Sequence, residues 1–151
     1  MKKSIFTLFV ALCTSLFAIT SCEGEPEPAD LIVGHWMLSG VNMQTEGVSM
    51  DFSPSQLGMW CEFCFVSDGS FRANIYEDEN GETGETLVGT YSLLSNDKES
   101  VLNITVEGEL SSIKLVHLDN SSLILQNTMQ EDGVVAEVTL TFQRGRMHML
   151  A

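Results

Sequence analysis

Basic residues are scarce in this chain: seven Lys and Arg stand against 21 Asp and Glu over 151 residues. Two of the seven, Lys2 and Lys3, sit at the very start. Neutralising phosphates needs clustered Lys and Arg, so the scarcity excludes a nucleic-acid partner. Cysteine is also rare, at four. Cys13 and Cys22 belong to the N-terminal segment, and Cys61 with Cys64 alone cannot make a disulfide-dense scaffold. A structural zinc site takes four ligands, but there is no second Cys pair and His35, His117 and His148 are scattered. The sequence has no glycine-rich phosphate loop, no Ser-His-Asp arrangement and no EF-hand spacing. No stretch after Ala29 sustains a long 3.6-residue period, which argues against a helical domain. Catalysis, a cofactor and a bound metal are therefore not expected.

The N-terminus is the most explicit part of the chain. Lys2 and Lys3 precede an uncharged run from Ser4 to Ser21, and Cys22 follows. A basic start, an apolar middle and small residues at the end describe a secretory signal, residues 1–21. Ile19-Thr20-Ser21-Cys22 resembles the bacterial lipobox. That resemblance implies that the Cys22 thiol, the good nucleophile at this position, receives diacylglycerol and begins the mature chain. The competing reading is an uncleaved membrane anchor, since about 18 apolar residues can span a bilayer. The cysteine at the boundary and the abrupt polar flank favour the lipoprotein. Two or three acyl chains anchor stably, because each buried methylene contributes about 0.8 kcal/mol and one chain alone is marginal.

Residues 22–30 carry four acids and two prolines and read as an extended, solvated tether. Acids directly after the lipidated cysteine resemble the surface-export signal of Bacteroidetes lipoproteins. A plain charged spacer is the alternative. The expected location is the bacterial outer membrane, on its periplasmic face or at the cell surface. Residues 31–151 remain for one domain with a real core.

That domain reads as all-β. Short runs with β-branched and aromatic residues recur between Gly, Asn, Asp and Ser clusters. They are 34–43, 58–67, 70–77, 85–94, 100–107, 112–118, 121–128 and 134–143. Turn signals join nearly all of them, Asp68-Gly69 being the strongest. Eight strands in a hairpin-linked meander close most economically into an antiparallel up-and-down barrel, which removes unpaired edges. The exception is the link from Gln44 to Leu57, where Ser53-Pro54 suits the start of one helical turn or an irregular loop. In the last strand Val134, Ala136, Val138, Leu140 and Phe142 oppose Val135, Glu137, Thr139, Thr141 and Gln143. One face is dry and the other wet. The run 112–118 alternates less cleanly.

Gly34-His35-Trp36 opening the first strand resembles the lipocalin family. So does the ordered series "FVSDGSF" (65–71), "GTYSLL" (89–94), "SSLIL" (121–125) and "LTFQR" (140–144). The likeness is to small lipocalin-like lipoproteins of the Bacteroidetes type and covers most of residues 31–146. It implies a calycin-type barrel whose closed end is sealed by Gly34, Trp36 and Arg144, the guanidinium lying over the indole. Two departures stand out. The family's Thr-Asp-Tyr motif is replaced by Asp119-Asn120-Ser121, and the chain stops at Ala151 without room for a C-terminal helix.

Cys61-x-x-Cys64 lies in a strand-like run, where residues three apart sit about 10 Å apart and face opposite ways. Two independent buried thiols, a disulfide at a bulge, and a metal or redox pair are the three readings. A bridge needs Cα atoms within about 4.4–6.8 Å. His35, beside Trp36, is expected to point outward into solvent. The acids from Glu77 to Glu85 crowd one hairpin and read as a solvated loop, with weak calcium binding as the alternative. Met37, Met43, Met50 and Met59, with Phe52, Leu57 and Trp60, cluster in the first strand and the link. Methionine adapts to irregular apolar partners, so these seven residues either line a ligand pocket at the barrel mouth or fill the core. The expected function is binding of a small apolar or amphipathic molecule by a lipid-anchored barrel. The alternative is a non-catalytic scaffold with a filled barrel that contacts another envelope protein. The parent protein is expected to incorporate palmitate and to run at the mass of residues 22–151 plus lipid, and Cys22→Ser is expected to abolish that incorporation. A parent protein that takes up no palmitate and keeps the mass of residues 1–151 in the membrane would instead establish the membrane anchor.

Overall fold

A computed structural model describes residues 27–95 and 99–145. The expected signal peptide, Cys22, most of the tether, the Asn96-Asp97 turn and His148 lie outside the described residues. The described chain is all-β, with two single helical turns. α1 is Pro28–Leu31 and α2 is Pro54–Leu57. The strands are β1 (Gly34–Thr45), β2 (Val48–Phe52), β3 (Trp60–Phe65), β4 (Ser70–Tyr76), β5 (Gly84–Ser95), β6 (Ser100–Val106), β7 (Glu109–Leu118), β8 (Ser122–Glu131) and β9 (Val134–Arg144).

Consecutive strands from β3 to β9 pair antiparallel, and β1 pairs with both β3 and β9, so an eight-stave barrel closes. The ninth strand is a departure from the sequence reading. β2 folds back on the upper half of β1 (Val41↔Phe52 to Thr45↔Val48), while β3 pairs with its lower half (Gly34↔Phe65 to Met37↔Glu62). β2 and β3 are thus one stave, interrupted by residues 53–59. Glu46-Gly47 makes the reversal possible, with φ of 47° and 81°, the left-handed pair a two-residue hairpin requires. α2 fills the interruption. Ser53 caps it in a reciprocal box with Gln56, Pro54 opens it, and Gly58 ends it in the left-handed conformation.

Two bulges explain why some alternation was hard to read. Between Leu38 and Gly40 the β1–β9 register shifts, so Trp36, Leu38, Val41 and Met43 all reach the core side. Between Leu115 and His117 the β7–β8 register shifts again. Ile113, Leu115 and Leu118 then face inward, and Val116 is left exposed. At the following turn, His117 Nε2 lies 2.7 Å from Asp119 Oδ2. That contact and the Ser121 and Ser122 amides hold the Asp119 carboxyl well below the usual carboxylate range.

The lower half of the barrel is packed shut. Trp36, Phe65, Phe142, Leu102, Leu123, Leu125 and Ile32 are fully buried. Phe63 stacks against Phe142 with ring centroids 4.7 Å apart, and Phe65 meets Tyr91 edge-on at 4.9 Å. The end of the expected tether takes part: Pro28 starts α1, and Ile32 just beyond it enters the core. Trp36 Nε1 donates to Ile32 O at 2.8 Å.

Arg144 seals this end. Its guanidinium carbon sits 4.2 Å over the Trp36 ring. Nε donates to Asn120 O at 2.7 Å, Nη1 to Val33 O at 2.9 Å, and Nη2 to Leu31 O. Gly34 makes room for it. At φ 129°, a Cβ there would lie 2.6 Å from Arg144 Nη1, in a backbone region that L-residues rarely adopt. Arg144→Ala is expected to cost about 2–4 kcal/mol through lost charged hydrogen bonds and cation–π contact. That is roughly 10 °C in a thermal melt followed by circular dichroism. Gly34→Ala is expected to act in the same direction. Melts superposing on the parent's would remove this role.

Candidate functional site

Inside the barrel the layers change character from base to mouth. Val41, Leu140 and Leu125 form a cross-strand row at the core, Val41 and Leu125 buried and Leu140 partly so. One layer up, Met50, Met43, Val138 and Asn127 pair in register across β2, β1, β9 and β8. The next layer is Val48, Thr45, Ala136 and Met129. Alternation along each strand turns these residues to the same inner side as the core. Yet Val48 is 55% exposed, Met50 44%, Met129 52% and Val134, above them on β9, 43%. Inner-facing apolar side chains are therefore open to solvent at this end. Phe52 adds a partly buried ring against the core below.

The stave interruption creates this opening. β2 reaches only as far as β1 supports it, and among the described residues no second strand pairs with its outer edge. A depression of about 430 Å³ lies at the rim, between the β1–β2 hairpin tip and the ends of β8 and β9. Its lining is mixed: Val48 and Val135 with Gln44, Thr45, Ser49, Thr128 and Glu137. Of the residues picked from sequence, none lines that depression.

The structure separates the seven apolar candidates into three groups. Met43, Met50 and Phe52 share the inner face at the mouth. Met37 lies on the outer face, in register with Glu62 and Gln143. Trp60, opposite Tyr76, is also on the outer side, because its neighbour Cys61 belongs to the core. Leu57 and Met59 are exposed, in α2 and the turn after it. The inner-facing Val48, Met129 and Val134 were missed. The readable signal for Val48 was Glu46-Gly47 between alternating residues, the same dipeptide that joins β6 to β7 at Glu107-Gly108.

The two cysteines are free and buried, and they lie on opposite sides of β3. Cys61 is in the core, where burial and the nearby Glu62 charge push its thiol up to about 12. Cys64 faces outward beside His35. His35 does point away from the core, but it is only 23% exposed in its side chain and packs between Cys64 and Glu62. The acidic hairpin closes on itself, with Asp78 Oδ1 accepting from the Glu82 and Thr83 amides. Among the described residues no group of three or more His, Cys, Asp or Glu is placed to hold a metal ion.

Comparison with known proteins adds distant likenesses. No protein-family model matches the chain, and no curated protein sequence does. Among solved structures it is similar to the bovine lipocalin allergen Bos d 2, at 13% identity and TM-score 0.47, covering 79% of this chain and 76% of the other. It is similar to the siderocalin Ex-FABP at 14% identity and TM-score 0.45, covering 76% and 74%. A redesigned β-barrel, b11L5F_LGL, gives 18% identity and TM-score 0.39, covering 78% and 95%. The barrel described above stands on its own strand pairings.

Proposed function

We propose that this protein is a lipid-anchored, lipocalin-like barrel that binds a small apolar or amphipathic molecule at its mouth. The observation that carries the reading is the exposure of Val48, Met50, Met129 and Val134 on the inner face above a packed base. Apolar surface left in water forfeits about 25 cal/mol per Å², and a ligand seated on these side chains recovers it. Thr45 and Asn127 in the same layers offer hydrogen bonds to a polar end. Such a mixture of apolar wall and few polar groups is what small-molecule sites use. Cys22 holds the barrel to the outer membrane in this proposal, with the acidic tether keeping it off the surface.

A second reading has its own observation. Val88, Leu94, Leu110 and Val116 are exposed on the outer wall, as a surface for another envelope protein would be. The two readings part experimentally. An anilinonaphthalene sulfonate probe titrated against the parent should bind saturably with blue-shifted fluorescence. Met50→Lys or Met129→Lys should weaken that binding about tenfold or more, equivalent to about 1.4 kcal/mol, without lowering the melting midpoint. Val88→Lys and Leu110→Lys should leave it unchanged. Binding abolished by the outer-wall changes and untouched by the mouth changes would overturn the mouth site in favour of the outer surface.

A further inference from the structure

The outer face of the barrel holds a row of polar side chains that runs across four strands. His35 on β1 is in register with Cys64 on β3, Glu62 on β3 with Asn74 on β4, and Asn74 with Thr86 on β5. Thr86 Oγ1 donates to Asn74 Oδ1 at 2.8 Å. This turns the amide so that Asn74 Nδ2 donates to Glu62 Oε1 at 2.9 Å. Glu62 Oε2 faces His35 Nδ1 at 3.8 Å, and His35 Nε2 faces Cys64 Sγ at 3.8 Å. Glu62 is 4% exposed and Cys64 5%. The sequence is thiol, imidazole, carboxylate, amide and hydroxyl: hydrogen bonds fix the last three, and the imidazole lies 3.8 Å from both the thiol and the carboxylate. It has the order of a nucleophile, its base and an orienting group.

We propose that Cys64 is a reactive thiol that reduces small hydroperoxides, with His35 as its acid–base partner and Glu62 positioning the imidazole. With Glu62 Oε2 at ion-pair distance from Nδ1, 3.8 Å, the proposed tautomer carries its proton on Nδ1, and Nε2 is the atom that accepts the Cys64 proton. Arg72, the cross-strand partner of Cys64 on β4, sets a positive charge on the same face as the thiolate. The imidazole stands between the sulfur and the Glu62 charge. The thiolate attacks the terminal oxygen of the hydroperoxide; the S–O bond forms as the O–O bond breaks. The leaving alkoxide takes the proton from Nε2 and departs as alcohol. Sulfur gives two electrons to the peroxide and becomes a sulfenic acid. Cys61 lies across the sheet in the core, so the sulfenic acid is returned to thiol by two equivalents of an external low-molecular-weight thiol, yielding its disulfide and water.

The substrate class follows from the surroundings. A thiol so little exposed admits only small molecules. Acyl transfer would also need backbone donors for an oxyanion. At Cys64 the strand is paired on both sides, with His35 and with Arg72, so its amides belong to the sheet. Peroxide reduction needs only a thiolate and a proton for the leaving oxygen, both of which Cys64 and His35 supply.

The test uses the full-length protein under native conditions, with limiting hydrogen peroxide, dimedone as the sulfenic-acid trap, and peptide mass spectrometry to resolve each cysteine. The expected result is adduct on Cys64 at about ten times the rate of Cys61 or more, and at least about a tenfold fall in the Cys64 rate in His35→Gln. Glu62→Gln, which keeps the shape and loses the charge, is expected to lower the rate while the melting midpoint holds. Equal labelling of both thiols, or none on Cys64, in the parent alone would overturn the proposal, as would a parent-like rate in His35→Gln. Iodoacetamide labelling of both thiols in a variant identifies unfolding, and the parent ratio then decides.

Discussion

A guanidinium holds five N–H donors in one plane, and at the base of this barrel Arg144 directs them to carbonyl oxygens of Leu31, Val33 and Asn120. The same group lies over Trp36. The three carbonyls come from the segment entering β1 and from the turn leading into β8. One side chain therefore joins the first strand, the last strand and the β7–β8 turn. A barrel differs from a curled sheet only by its closing pair, here β1 with β9. Fixing the lower end of that pair fixes the register of every inner layer above it, because a slip of one residue would turn the dry face outward. Trp36 is useful here for its size as well as its ring. It fills the base while its indole N–H is satisfied by Ile32 O, so the plug carries no unpaired donor.

The upper half follows from a different constraint. β1 is twelve residues long, longer than β3 can accompany, and β2 supplies the missing upper length only after a detour. The detour consumes residues 53–59 without adding to the wall. A stave broken in this way cannot press the upper inner side chains together as the continuous staves do below. The gradient from fully buried Leu125 to half-exposed Met129 on the single strand β8 is the record of that loss. An open apolar mouth and a closed base are therefore divided between the two ends, and a change at the mouth need not disturb the clamp at the base.

Much of this is legible in the sequence. Strand positions from β4 to β9 follow turn residues whose geometry is nearly obligatory, such as Asp68-Gly69 and Asp132-Gly133. The capped turn at Ser53-Pro54 was visible as one of two options for the same reason. β2 was legible only through Gly47, because Glu46 beside it is a poor advertisement for a left-handed turn. The bulges at Ser39 and Val116 were also hidden. They shift the face of a strand without any residue type that announces the shift, and so Met37 was grouped with Met43 when the two lie on opposite sides. The outer polar row was invisible for a related reason. His35 and Cys64 are 29 positions apart, and only the β1–β3 register brings them together.

β3 shows how far a two-residue period can separate chemistry within one short strand. Cys61 and Cys64 are three apart, an odd number, so one belongs to the core and the other to the wall. Burial raises the first thiol, and a Glu62 carboxylate nearby adds to the rise; a thiol held protonated is a small apolar filler. The second has an imidazole at contact distance and an arginine across the strand. Glu62, the most deeply buried acid among the described residues, lies on the same outer face as Cys64 and is held there by Asn74. Had the spacing been two or four, both thiols would share one environment. The odd spacing gives one strand an inert sulfur that packs the barrel and an outward sulfur set beside groups able to move its proton.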